Sequence, residues 1–424
     1  MGRLFRFQAN GLAASGAARE RSGGMTRALN PVFASRPVTI FAVMSALARQ
    51  HGAVNLGQGF PDEDGPPALK EIAARAILEE PNQYAPVGGL PALRAALASA
   101  NKRFYGLDID AETETLVTAG ATEALAACFM AFLQPADEAV LFAPAYDCYA
   151  PIVEAAGAAA KIVRLEPPYW RIERAQVESA LSPLTRVIAI NTPHNPTGRV
   201  LSREELQVIA DIAVERDLLV ICDEVYEHLV FDGAPHLPLM AFPGMRARTV
   251  RIGSAGKTFS MTGWRIGYAG GPAELIKAIG VMQSQSTSNP SSISQAASVA
   301  ALNGDQSFLK ERNDAFKDRR DTVVKMLNEA DGIECLTPEG AFYVYPSCAG
   351  CIGKKTPDGK TIETDSDFVT YLLEAEGVAC VQGEAFGLSP YFRISYATSM
   401  DSLKEACRRI QRACKALQGK AKAA

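Results

Sequence analysis

Two short apolar runs, Val187-Ile188-Ala189-Ile190 and Leu218-Leu219-Val220-Ile221-Cys222, each give way to polar residues on their C-terminal side. Unbroken apolarity over four or five residues marks strands covered on both faces. The first run leads into Asn191-Thr192-Pro193-His194-Asn195-Pro196-Thr197-Gly198, whose prolines and glycine fix a loop that displays Asn195. The second ends at Asp223-Glu224-Val225-Tyr226, which places two carboxylates and a phenol at the carboxyl end of a strand, where open α/β sheets bind their ligands. Thr118-Ala119-Gly120-Ala121-Thr122-Glu123-Ala124-Leu125 reads as a small-residue turn opening a helix. A charged helix is expected around Asp305 to Glu329, and Phe392-Arg393-Ile394-Ser395-Tyr396-Ala397 alternates as a strand does.

From about Pro66 to Asn289, strand and helix patterns alternate, which predicts an α/β fold with a mostly parallel sheet flanked by helices. The expected organisation is a disordered extension over 1–24, an N-terminal segment over 25–63 joining a smaller domain, a large domain over 64–300, and a C-terminal α+β domain over 301–424. Substrate between the two domains would make closure of the smaller one part of the cycle.

Within this frame Lys257 carries the most chemical information. It sits in Ser254-Ala255-Gly256-Lys257-Thr258-Phe259-Ser260-Met261-Thr262-Gly263-Trp264-Arg265, where small residues open the chain around one amine and a guanidinium follows eight positions later. Covalent chemistry on a carbonyl requires a lysine whose pKa is lowered, and neighbouring cations do this. Gly-Lys-Thr also occurs in nucleotide-binding loops, but the glycine spacing of those loops is missing here. At the helix start, Gly120, Ala121 and Thr122 offer backbone N–H groups to an anion, with Ser254 and Arg265 as its side-chain partners. Arg393, in an otherwise apolar strand, needs an anionic partner, and its planar fork suits a carboxylate.

The segments Asn195-Pro196-Thr197-Gly198, Asp223 to Tyr226, and Ser254 to Arg265 together closely resemble the fold-type I aminotransferases that use pyridoxal 5′-phosphate; the similarity covers nearly all of Asn30 to Leu417. That resemblance implies that Lys257 binds the cofactor covalently and moves the proton, that Asp223 pairs with the pyridine nitrogen, and that Tyr226 and Asn195 face the ring's phenolic oxygen. It further implies that Tyr146 stacks on the ring, that the substrate α-carboxylate meets Arg393 and the Gly57 backbone, and that Tyr84 reaches the neighbour's phosphate in an obligate homodimer.

For the substrate the two halves of the chain disagree. Val54 to Pro61, Asn82 to Leu90 and Gly120 to Leu125 are most similar to enzymes for methionine, glutamine, aromatic amino acids and kynurenine. Gln283 to Pro290 and Pro338 to Arg408 are more similar to bacterial aspartate or aspartate/prephenate aminotransferases, in which a lysine commonly stands where this chain has Thr122. The leading expectation is a neutral or aromatic amino donor with a 2-oxo acid acceptor; aspartate or prephenate chemistry is the alternative. Cysteine-conjugate β-elimination would use the same lysine, and a non-catalytic sensor would need a DNA-binding module that 24 extra residues do not supply.

Composition adds boundaries to this picture. The chain has 424 residues, 48% of them hydrophobic and 21% charged, and a net charge of −4, which gives no electrostatic case for nucleic acid. No apolar stretch reaches the roughly 20 residues that cross a bilayer. The four histidines show no metal-binding spacing, so no metal is expected. Nine irregularly spaced cysteines read as reduced thiols of a cytoplasmic protein, with Cys348 and Cys351 the one close pair. Met1 to Gly24 carries four arginines and one acid, a composition also compatible with an organellar transit peptide.

Overall fold

The apolar runs become the middle of a large sheet in the computed structural model, which describes residues 29–34, 36 and 38–421. A two-residue strand, β1 (Val54–Asn55), precedes β2 (Thr115–Thr118), β3 (Glu138–Ala143), β4 (Ala159–Arg164), β5 (Thr185–Asn191), β6 (Leu219–Asp223), β7 (Thr249–Ser254) and β8 (Gly267–Gly270). Strands β2 to β8 form one seven-stranded sheet in the order β2-β8-β7-β6-β5-β3-β4. All neighbours are parallel except β8, which runs antiparallel to both β2 and β7.

Side chains on successive residues of a strand point to opposite faces, and here the two faces feed two separate cores. Val187, Ala189, Ile221, Val250 and Ile252 pack with Leu125, Cys128 and Phe129 of the helix Ala121–Phe132 and with Ile276 and Ile279 of Ala273–Ser284. Ile188, Ile190, Val220 and Cys222 pack on the other side with Leu206, Ile209 and Ala213 of the helix Arg203–Glu215. That helix starts with a full capping box between Ser202 and Glu205. Burial on both faces explains why these strands read as continuous apolar runs.

Beyond the sheet come β9 (Tyr343–Val344), β10 (Val378–Ala379), β11 (Val381–Gln382) and β12 (Phe392–Ser395). Strands β11, β12 and β9 form an antiparallel sheet, and β10 pairs in parallel with β1, which brings residues 54 and 55 to the C-terminal part. The charged helix spans Phe308–Asn328 and lies against Met400–Ala416. Gly198 marks one close approach. Its φ is 72°, and a Cβ there would meet Pro338 Cβ at 2.6 Å and the Tyr343 carbonyl at 2.7 Å.

The described residues from 38 on form one compact unit, and those up to Arg36 belong to another. In the latter, Pro31–Ala34 make a single helical turn with the Val32 N–H bonded to Asn30 Oδ1 at 3.0 Å. The expectations for residues 1–24 lie outside the described residues.

Candidate active site

The carboxyl ends of β5, β6 and β7 bring three loops together. Lys257 lies in the short helix Ala255–Thr258 directly after β7, where Ser254 Oγ accepts the Gly256 N–H at 3.0 Å. Lys257 Nζ donates to the Gly59 carbonyl and stands 5.6 Å from the ring centres of both Tyr226 and Phe342. Burial, reinforced by Arg393 and Arg265 against the pull of Asp223, lowers the amine to about 7. A large neutral fraction of this lysine is therefore available as nucleophile or base near neutral pH. From the helix Phe308–Asn328, Arg312 donates to the carbonyls of Lys257, at 2.6 Å, and Thr258, which fixes the backbone under the amine.

Asp223 ends β6. Its Oδ2 accepts the Tyr149 hydroxyl at 2.5 Å, and among the described residues it has no ion pair. Burial raises the carboxyl to about 6 against the hydrogen bond of Tyr149 and the charge of Lys257. A buried acid poised in this way is suited to meeting a cationic ring nitrogen. Tyr226 turns its hydroxyl to that of Tyr343 on β9, 2.8 Å away.

Arg393, on β12, is 1% exposed and has no carboxylate partner among the described residues. Its Nη1 donates to Asn195 Oδ1 at 2.8 Å and its Nη2 to the Gly57 carbonyl at 2.7 Å, while Nε has no partner. Phe41, Tyr343 and Phe386 surround the guanidinium, with ring centres 4.7, 4.3 and 5.1 Å from Cζ. A guanidinium has five N–H donors, so most of this fork is unspent. A buried, unneutralised cation is costly unless an anion comes to it.

The anion corner lies at the start of the helix Ala121–Phe132. Gly120 is its N-cap at φ 87°, with no side-chain cap, so the first-turn N–H groups of Ala121 and Thr122 are free of side-chain partners. Arg265 adopts a left-handed φ of 56° and leans over Gly120 so closely that a Cβ there would lie 2.2 Å from Nη2. Positive φ on a non-glycine residue costs about 1 kcal/mol or more and tends to persist where function requires it. Ser254 Oγ already bonds the Ile266 carbonyl at 3.1 Å as well as Gly256, so it would have to turn to reach an anion.

Tyr146 is half-buried, stacked with Phe41 at 6.0 Å and edge-on to Tyr149 at 5.9 Å. Asn195 is fixed by its own N–H to Asn191 Oδ1 at 2.7 Å, and Asn191 Nδ2 bonds the Asp223 carbonyl at 2.8 Å, which ties the two loops. The Gly57 N–H is held by Asn55 Oδ1 at 3.0 Å, so the contact this glycine makes with the site is its carbonyl on Arg393. Tyr84 is not gathered into this group and is 89% exposed. Tyr149, Tyr343 and Arg312 join the site without a signal in the sequence motifs; only Tyr149, three residues after Tyr146, lies close to one.

A separate buried cluster, Glu224, Glu227 and His236, has ligand atoms within 4.8 Å of one another, but Arg251 already pairs with both carboxylates. Cys348 and Cys351 are buried and bond the carbonyls of Pro390 and Asp331, each at 3.5 Å. Among the described residues no helix is long and apolar enough to cross a membrane.

Residues 52–410 match the family described as aminotransferase class I and II. The chain belongs to this family. Pyridoxal 5′-phosphate is the cofactor of such aminotransferases, and the site fits it: free helix N–H groups beside Arg265 suit a phosphate, and buried Asp223 awaits a cation. Among relatives of this aminotransferase, a probable aspartate/prephenate aminotransferase of Rhizobium leguminosarum is 46% identical over 87% of this chain and 92% of its own. The crystal structure of the aspartate aminotransferase of Rhizobium meliloti superposes with a TM-score of 0.88 at 42% identity, covering 93% of this chain and all of that one. YbdL of Escherichia coli, identified as having a methionine aminotransferase function, gives a TM-score of 0.83 at 34% identity over 91% of this chain and 100% of its own.

Proposed function

We propose that this aminotransferase takes aspartate as a preferred amino donor, that a 2-oxo acid such as prephenate is an acceptor, and that Lys257, Asp223 and Arg393 carry the reaction. The observation behind the residue roles is the convergence of a neutralisable amine, a buried acid and an unpaired buried guanidinium on one cleft. For the substrate, the support is the 46% and 42% identity to enzymes named for aspartate or prephenate, against 34% to the methionine enzyme. The aspartate alternative of the sequence reading is therefore preferred to its neutral or aromatic one.

When bound, pyridoxal phosphate supplies a carbonyl carbon for the amino group and a ring that accepts the electron pair left by the α-proton. Arg393 grips the substrate α-carboxylate with its unspent donors and orients the α-carbon. Lys257 Nζ takes the α-proton as a general base and holds it for return. Asp223 would favour the protonated ring nitrogen, and the Tyr149 hydrogen bond holds Asp223 in place and favours its ionised form. Gly120, Ala121, Thr122 and Arg265 would hold the phosphate, Tyr146 would support the ring, and Asn195 and Tyr226 would face its oxygen.

Thr122 offers a hydroxyl where an ammonium would grip a distal carboxylate, so the preference for aspartate is modest and neutral donors remain substrates. Mixing the cofactor-loaded protein with aspartate, methionine, glutamine, phenylalanine and kynurenine, one at a time, and following the visible band ranks the donors. Aspartate first supports the reading; methionine or kynurenine ahead of it by about tenfold or more overturns it.

Exposed Tyr84, at 89%, lies near Leu78 at 81% and Ile77 at 52% in the sequence, which supports a face covered by a second copy, with Tyr84 serving the partner's site. We assign 64–300 to a cofactor-binding domain, 25–63 and 301–424 to a smaller one, and the cytoplasm as compartment. Sedimentation of the loaded protein as a monomer would remove the shared site.

A further inference from the structure

Asp223 and Glu224 are adjacent at the end of β6 and turn to opposite sides. Asp223 meets Tyr149, whereas Glu224 meets Arg251 on the neighbouring strand β7. Arg251 Nε and Nη2 approach Glu224 Oε2 at 2.8 and 2.6 Å, Nη2 also reaches Glu227 Oε2 at 2.7 Å, and Nη1 bonds Asn101 Oδ1. Tyr268 donates to Glu227 Oε1 at 3.1 Å, His236 Nε2 lies 3.1 Å from Glu224 Oε2, and the Tyr105 ring sits 4.7 Å from Arg251 Cζ. Arg251, Glu224 and Glu227 are 5, 1 and 5% exposed.

Buried ion pairs are a poor source of stability, because well-packed apolar side chains do as well without the desolvation cost. Their advantage is direction: a planar fork holds several acceptors in one fixed geometry, whereas an ammonium is a point charge with three rotatable donors. The acceptors here are placed informatively. Glu224 and Glu227 bracket Val225 and Tyr226, so one guanidinium holds both ends of the turn that follows Asp223. That guanidinium belongs to β7, which runs through Ser254 into the helix carrying Lys257, six residues after Arg251.

We propose that Arg251 is a positioning residue for transamination: its fork locks the Glu224–Glu227 turn to β7 and thereby sets Asp223 and Tyr226 at a fixed distance and angle from Lys257. Arg251 touches neither substrate nor cofactor and acts only through these residues. The inference rests on the roles proposed above for Lys257 and Asp223.

The decisive variant is Arg251→Lys in the full-length protein, which keeps the charge and loses the fork. The measurements are kcat and KM for the amino donor, thermal midpoint, and the pH midpoint of Lys257 in the cofactor-free protein, read by competitive amine labelling and peptide mass spectrometry. We expect kcat to fall by about tenfold or more, KM to change by less than about threefold because Arg393 is untouched, and the Lys257 midpoint to move by roughly half a pH unit or more. A merely structural arginine predicts a lower thermal midpoint with wild-type kcat and Lys257 midpoint; that result, or a loss confined to KM, overturns the proposal. Should Arg251→Lys fail to fold, Glu227→Met decides by the same measures, since it keeps much of the bulk and removes the acceptor of one arm. With both measures at wild-type values in Glu227→Met, the clamp plays no part in positioning. Lys257→Ala serves as the separate control: turnover retained there would sink the role of the lysine and leave that of Arg251 as a different failure.

Discussion

Replacing Arg393 with methionine keeps an unbranched apolar stem and removes the fork. In the native cleft Nη1 and Nη2 each spend one hydrogen on Asn195 and Gly57, and Nε spends none, which leaves three donors for a carboxylate. Hydrogen bonds to a charged group contribute about 1.5 to 3 kcal/mol each, so two of them amount to roughly 3 to 6 kcal/mol of transition-state binding. That is about a 10²- to 10⁴-fold loss in kcat/KM. The loss should be of similar size for aspartate, methionine and alanine, because all three present the same α-carboxylate. Stability should move much less: the variant sheds a buried charge, which is favourable, and orphans two acceptors, which is not, so denaturant unfolding of the cofactor-free protein should stay within about 2 kcal/mol of wild type. Single-turnover mixing of loaded enzyme with each amino acid gives the comparison directly. If the loss falls on aspartate alone, Arg393 reads the side chain; if kcat/KM falls less than about fivefold for all three, the α-carboxylate lies elsewhere and the argument from the unpaired fork is wrong.

Lys257→Ala should abolish transamination in a protein that still unfolds cooperatively, as judged by product formation and circular dichroism. The pH dependence of stability in the cofactor-free protein should carry two opposed signatures. Lys257 titrates near 7 when folded, below its usual 10.5, so the unfolded chain holds the extra proton between those values and stability rises with pH across that window. Asp223 titrates near 6, above its usual 3.8, so its contribution falls as pH rises from 3.8 to 6. Lys257→Met should flatten the upper slope and spare the lower one in urea titrations; an unchanged upper slope would mean that the amine is not buried as described. Tyr149→Phe removes the 2.5 Å hydrogen bond to Asp223, which should push that carboxyl higher still and cost kcat about fivefold to twentyfold, with KM little changed, in steady-state assays across pH. Of the nine thiols, all but Cys148 are buried, so a thiol reagent should titrate at most one rapidly before unfolding.

The residues legible in the sequence share a physical cause. Asp223 ends a strand and Asn195 and Lys257 lie within four residues after one, and a strand buried on both faces is the easiest element to read, so each loop after it can be placed. Arg393 is legible for a different reason, the cost of a charge in an apolar strand. The same logic applies to Val250-Arg251-Ile252, where a second arginine interrupts a buried strand; its partner Glu224 lies in the segment that the motif marks, and Glu227 directly follows it. What distinguishes the two arginines is visible only in three dimensions: one finds its carboxylates inside the chain, the other finds none among the described residues. Tyr343 and Arg312 are illegible because they arrive from elements more than fifty residues beyond Lys257, and no local pattern records which backbone they will meet. Substrate choice is hidden for a related reason, since Thr122 states which grip is missing but not what replaces it. A buried arginine without a carboxylate partner therefore identifies where a ligand carboxylate is received, whereas a buried arginine with two carboxylate partners identifies what holds the receiving site in register.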